Sequence, residues 1–195
     1  MARPKPSLVH VKEPHTLQQP QSGTHLRSPI RRVLHRPHHV LSTPAVEVDP
    51  YAPSVALLAS MLVATMRTSP SCVGLAAPQI GEGVRLFCMD ITGHKKARSC
   101  AGLVVMANPR VIRYGGNEIM REGCMSVPEL TGDVARAAEV IVEGVEPGTG
   151  RLVRVDADAM EARCLLHELD HLDGLTFVDR VIDAETDLFQ RRRYA

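Results

Sequence analysis

His167-Glu168-Leu169-Asp170-His171 is the stretch that decides how this chain is read. It fits H-E-x-x-H. On an α-helix, residues four apart sit one turn apart on the same face, so His167 and His171 can hold one metal ion between them. Glu168 then reaches the open side of the ion, where it can move a proton. An exposed helix rich in Glu, His and Asp would give the same letters without a metal, so the flanking residues matter. At 100° per residue, Met160, Cys164 and His171 fall within about 60° of His167, while Ala162, Leu165, Leu169 and Leu172 gather on the far side. A surface helix would set Lys or Glu around the histidines. Soft apolar neighbours predict a buried site.

Two helical imidazoles leave a tetrahedral ion short of ligands, and the third must come from elsewhere in the chain. Glu122-Gly123-Cys124-Met125-Ser126 offers a thiolate, which suits a divalent transition metal, and Gly123 permits close backbone approach. Cys164 is a rival on geometry, because it shares the histidines' helical face. Ligands three, four and seven residues apart on one helix would crowd one side of the ion. Further upstream lies Gly74-Leu75-Ala76-Ala77-Pro78-Gln79. In this order the three segments resemble the signature motifs of peptide deformylases, G-x-G-L-A-A-x-Q, E-G-C-L-S and H-E-x-D-H. The resemblance extends to Arg31–Pro44, Asn108-Pro109, Val134-Ala135-Arg136 and Leu175–Arg180, and covers roughly residues 28 to 190.

The resemblance implies a set of roles. Cys124, His167 and His171 would bind the metal. Glu168 would take a proton from water and deliver it to the leaving amine, while the side-chain amide of Gln79 and the backbone N–H of Met125 would face the developing oxyanion. The substrate would be the N-formyl group on the initiating methionine of a new polypeptide, and the products formate and a free N-terminus. Val73, Met120, Met160, Cys164 and His167 match the family's pocket for the methionine side chain, and methionine lining is adaptable. Gly74 falls where the peptide backbone pairs like an added strand. Arg136 matches an arginine bordering the substrate channel; a solvated strand-end charge is the alternative. The family typically uses Fe²⁺ and often accepts Ni²⁺, Co²⁺ or Zn²⁺. Asp170 is expected just outside the ligands, with Arg163, Arg136 or Arg180 as its cation. Three positions depart from the pattern: Cys72 stands for the first glycine, Met125 for Leu, and Leu166 for Gln.

Composition agrees with one domain plus a tail. The chain has 195 residues and 44% hydrophobic content, with only 3% aromatics and no Trp, so the core must be aliphatic. A net charge of +1 gives no electrostatic footprint for DNA. There is no apolar run of membrane-spanning length and no signal-peptide pattern. The five cysteines are odd in number and form no C-x-x-C pair, which favours a reducing cytoplasm over a disulfide framework. Cys88 reads as a small buried hydrophobe and Cys100 as a loop thiol.

Residues 1–27, punctuated by Pro4, Pro6, Pro14 and Pro20, read as a disordered or loosely attached extension, and 28–195 as the catalytic domain. Residues 28–50 read as extended chain. A helix is expected over Tyr51–Arg67, with an unusually apolar outer face that calls for cover. Short strands follow at Val84–Met89, Leu103–Asn108, Ala138–Glu143 and Leu152–Val155. The metal helix begins at an Asp158 N-cap paired with Glu161 and is closed by Gly174. Residues 184–193 read as a final helix. Strands and helices without regular alternation predict an α+β fold, with antiparallel or mixed sheets around the central H-E-x-x-H helix.

Two other functions fit the motif. A zincin-type metallopeptidase takes its third ligand downstream, yet no His follows His171. A non-catalytic metal-binding member would not need both Glu168 and Gln79. The expected partners are formylated nascent peptides and, through Arg191-Arg192-Arg193, the ribosome; those arginines could equally complement a helix dipole.

Overall fold

The structure is a computed structural model that describes residues 30–191. The expected 1–27 extension, Arg192 and Arg193 lie outside the described residues. In chain order the elements are α1 (Pro53–Met66), β1 (Gly74–Ala76), β2 (Leu86–Met89), β3 (Val104–Gly115), β4 (Glu118–Cys124), β5 (Val127–Arg136), β6 (Glu139–Val145), β7 (Leu152–Asp158), α2 (Ala159–Leu172) and β8 (Leu188–Gln190). Two antiparallel sheets form, one ordered β1-β2-β3-β6-β7 and the other β4-β5-β8. This is the expected α+β class, with both sheets antiparallel.

The larger sheet carries a helix on each face. Successive strand residues point to opposite faces, and β2 shows it. Leu86 and Cys88 join Val55, Ala59, Leu62 and Met66 of α1. Phe87 and Met89 join Ala162, Leu165, Leu169 and Leu172 of α2, together with Met106, Val142 and Val155. All four β2 residues are therefore buried, which explains an unbroken apolar run where a half-exposed strand would alternate. β3 bends at Asn108, whose φ of 49° lies in the left-handed region asparagine tolerates. Its side chain accepts from Val48 N–H at 3.0 Å and donates to Val48 O at 2.8 Å, tying the extended opening segment to the sheet.

Several expectations need correction. Of the helix expected over 184–193, the described residues 184–191 are not helical. Leu188–Gln190 pairs with β5 instead, and Arg121 stacks its guanidinium 3.4 Å from the Phe189 ring centroid. Asp158 precedes α2 but makes no capping bond. Its carboxylate accepts from Ser99 N–H at 2.9 Å, and that of Glu161 from Ala101 N–H at 2.6 Å, so both hold the preceding loop. β4 and β5 form a hairpin that polar sequence had concealed. On α1 Val55, Leu62 and Met66 are buried and Leu58 is half-buried, and Arg31 N–H reaches Thr65 Oγ1 at 3.0 Å, while Leu57 and Ser60 remain exposed. No helix of the described residues is long and apolar enough to cross a membrane.

Gly144 marks a tight contact within the large sheet. A Cβ there would collide with Met106 Cγ and come within 2.9 Å of Ala107 O. Gly144→Ala should cost about 1–3 kcal/mol in urea unfolding, the usual cost of overpacking; an unchanged midpoint would contradict this packing.

Candidate active site

The site forms where α2 meets both sheets. Met160, Cys164, His167 and His171 run along one face of α2 at helical spacing, and its opposite face packs on the large sheet. β4 ends at Cys124. A two-residue turn, Met125-Ser126, follows, and a register shift there brings Cys124 opposite Val127. The sulfur of Cys124 and one ring nitrogen from each of His167 and His171 lie within 4.8 Å of one another. Cys124 Sγ is 3.2 Å from His171 Nε2.

The electrostatics suit a metal. Burial opposes ionisation of Cys124, but the two histidines overcome it and hold the thiol well below its usual range. His167 Nδ1 lies 2.8 Å from Glu122 Oε2, so with Nδ1–H donated there the Nε2 lone pair is left for the ion. A thiolate and two imidazoles that converge with their lone pairs make a donor set suited to zinc or ferrous iron. Cys164, the rival ligand, donates to Val73 O at 3.6 Å, and burial drives its thiol well above the ordinary range.

Glu168 is buried beside this set. Burial raises its carboxyl against the pull of the two histidines, pushing it up to about 7. Its Oε2 has no hydrogen-bond partner among the described residues. Gly74 makes room for it: a Cβ there would collide with Glu168 Oε1 and come within 3.0 Å of Cys164 Sγ. Gln79 sits in the 3-10 turn Ala77–Ile80. Its Oε1 accepts from Ala76 N–H at 2.9 Å, and its Nε2 lies 3.3 Å from Cys124 Sγ and 3.2 Å from Ser126 Oγ. Val73, Met120 and Met160 are half-buried, and Met120 shares the β4 face of Glu122 and Cys124.

Sequence reasoning quoted Glu122 without giving it a role, and expected Asp170 among the acceptors around the histidines. The structure reverses this. Glu122 accepts from Arg136 at 2.6 and 3.0 Å and from Arg163 at 2.6 Å, besides meeting His167. Burial raises its pKa, and the bonds to His167 and Arg136 more than offset this, taking it down to about 2. Asp170 instead binds Arg136 at 2.8 Å and Arg180 at 2.6 Å. The Arg136 side chain is 5% exposed, so it is neither a solvated strand end nor a wall of an open channel; its guanidinium bridges two carboxylates. The alternation of side chains along β4, with Glu122 two residues before Cys124, was the available signal.

The comparisons agree with this geometry. The polypeptide deformylase family model matches residues 30–187. This chain belongs to the peptide deformylase family. It is 41% identical to the peptide deformylase of Halothermothrix orenii over 73% of this chain and 88% of that one. It is 38% identical to that of Desulfitobacterium hafniense over 72% and 87%. A crystal structure of a peptide deformylase from Legionella pneumophila superposes with a TM-score of 0.71 at 35% identity, covering 78% of this chain and 86% of that one. The Thermotoga maritima peptide deformylase gives 0.71 at 29% identity, over 80% and 99%. The family is one of metal-dependent hydrolases that remove the N-formyl group from initiator methionine, and neither a metallopeptidase nor a non-catalytic protein is favoured by these relatives.

Glu122 provides a sharp test of the site. Glu122→Gln keeps the shape but weakens the acceptor that orients His167. Metal affinity measured by chelator competition should fall about 10–100-fold, as for other outer-shell carboxylates. Wild-type affinity in this variant would show that Glu122 does not orient His167.

Proposed function

We propose that Cys124, His167 and His171 hold a ferrous ion, and that Glu168, Gln79 and Met125 carry out deformylation of formylmethionyl peptides around it. The observation that carries this reading is the convergence of the three ligand atoms beside a buried carboxylate with an unpartnered oxygen. A divalent ion bound there would supply a Lewis acid and lower the pKa of a water molecule toward neutrality. Glu168 takes a proton from the attacking water as its oxygen bonds to the formyl carbon, and passes that proton to the amine nitrogen as the C–N bond breaks, leaving formate and a free N-terminus; a carboxyl with a pKa near 7 suits both directions of transfer. Gln79 Nε2 and the Met125 backbone N–H donate to the oxygen that becomes negative at the formyl carbon.

Val73, Met120, Met160 and Cys164 line the slot for the methionine side chain, and Gly74 offers its backbone to the peptide. Arg136 holds Glu122 and Asp170 in place, and acts on the substrate only through them. Zn²⁺, Ni²⁺ or Co²⁺ would satisfy the same donor set. The five free thiols support work in a reducing cytoplasm. We assign residues 28–195 to the catalytic domain and 1–27, which lie outside the described residues, to an extension preceding it.

Three measurements test the assignment. Formyl-Met-Ala-Ser should release formate while an unformylated peptide stays intact; the reverse pattern would indicate a peptidase. Glu168→Gln should retain bound metal yet lose about 10²–10⁴ in kcat, whereas activity within tenfold of wild type removes Glu168 from proton transfer. Alanine at Cys124, His167 or His171 should abolish stoichiometric metal, and full occupancy in Cys124→Ala would return Cys164 as the ligand.

The chain's natural substrate also implies proximity to the ribosome. The exposed Arg191 leads into Arg192 and Arg193, and such a basic end can contact RNA phosphates. Deleting residues 190–195 should then reduce cosedimentation with ribosomes at low salt; unchanged cosedimentation would leave the arginines a solvated terminus.

A further inference from the structure

β1 is one of the two edge strands of the five-stranded sheet and, among the described residues, pairs only with β2. Its register fixes which backbone groups remain open. Asp90 N–H donates to Val73 O at 2.8 Å, and Gly74 stands opposite Met89. Hydrogen-bonded and non-bonded pairs alternate along an antiparallel ladder, so Gly74 belongs to a non-bonded pair. Its N–H and C=O point away from β2, toward the open edge. Ala76, two residues on, has the same orientation, and there Gln79 Oε1 has taken the N–H. The Gly74 carbonyl is also engaged: the Cys72 thiol donates to it across 3.1 Å.

This matters because Cys72 stands where the family pattern has glycine, which offers no side-chain donor. An extended peptide joining the β1 edge would bring an amide N–H to the same carbonyl. We propose that Cys72 is a positioning residue that sets peptide affinity at this edge, its thiol competing with the incoming backbone amide for the Gly74 carbonyl. The proposal rests on the deformylase reading above. The thiol stays a donor across the neutral range: burial first, and the Glu168 charge second, push it up to about 12. An S–H group is a weak donor, so the competition is mild and displacement is reversible. Its effect is expected on KM, because what the thiol competes for is a backbone hydrogen bond of the bound peptide.

Substitutions at Cys72 separate this from a packing role. Formate release from formyl-Met-Ala-Ser by the full, metal-loaded chain gives kcat and KM. Cys72→Ala should lower KM about two- to tenfold, the range of one neutral hydrogen bond, with kcat little changed. Cys72→Ser keeps a donor and should hold KM at or above the wild-type value. An unchanged or raised KM in Cys72→Ala overturns the proposal, and so does an equal fall in both variants, which would assign the effect to the bulk of sulfur. A second readout needs no turnover. The Kd of Met-Ala-Ser, measured by isothermal titration calorimetry, should fall in Cys72→Ala by the same factor as KM and should not fall in Cys72→Ser. An unchanged or raised Kd in Cys72→Ala overturns the proposal. Wild-type protein that releases no formate would fail the deformylase reading itself, while the calorimetry would still decide whether Cys72 competes with a peptide at this edge.

Discussion

The buried carboxylate of Glu122 is the contact on which the rest of the site depends. It is 4% exposed and meets Arg136, Arg163 and His167. Such a group is expensive to bury and tolerable only when its lone pairs are filled. Filling them fixes three elements at once: β4, which carries Glu122; the end of β5, which carries Arg136; and α2, which carries Arg163 and His167. Asp170 extends the chain of alternating charges to Arg180 and the turn Phe177–Arg180. Removing one member of such a buried set strands the others, typically at a cost of about 3–5 kcal/mol. The network therefore holds the small sheet against α2 and, through His167, fixes a ring beside Cys124 and His171.

A steric constraint does the corresponding job on the other side of α2. Glu168 lies so close to β1 that only a glycine fits at position 74. The same missing side chain lets Cys164 approach that strand. The Glu168 carboxylate is thus walled by backbone, and burial raises its pKa. The two constraints oppose each other usefully. Glu122 is stripped of its proton by cations, while Glu168 is encouraged to keep one by burial. Two carboxylates, on β4 and α2, are pushed in opposite directions and so can serve as anchor and as acid–base group.

What the sequence made legible follows from which forces are local. The helical face of Met160, Cys164, His167 and His171 was readable because a 3.6-residue period is a property of the helix alone. The large sheet was readable from β-branched runs, though β3 and β7 extend further than their apolar cores. β4 was not, because Glu118-Ile119-Met120-Arg121-Glu122-Gly123-Cys124 buries a charge and exposes Ile119, inverting the usual pattern. Leu188-Phe189-Gln190 became a strand because Thr131 and Arg121 wait for Phe189, partners remote in sequence. Asp158 and Glu161 look like a capping box, but the backbone N–H groups of Ser99 and Ala101 claim both carboxylates. In each case a tertiary partner overrode a local preference.

Gln79 shows how far recognition and chemistry share one strand. An amide side chain could face either way, and only its surroundings decide. Here Ala76 N–H, on the open edge of β1, is a donor and must meet the amide oxygen. The amide nitrogen is then turned toward Cys124 and Ser126, where a donor is wanted. The orientation of the Gln79 amide therefore follows from the register of the edge strand. Any shift of β1 at Gly74 would also re-aim Gln79, three residues beyond the strand's last residue, Ala76. The open edge of β1 and the Gln79 amide are thus joined through Ala76 N–H into one hydrogen-bonded unit, and neither can be moved without the other.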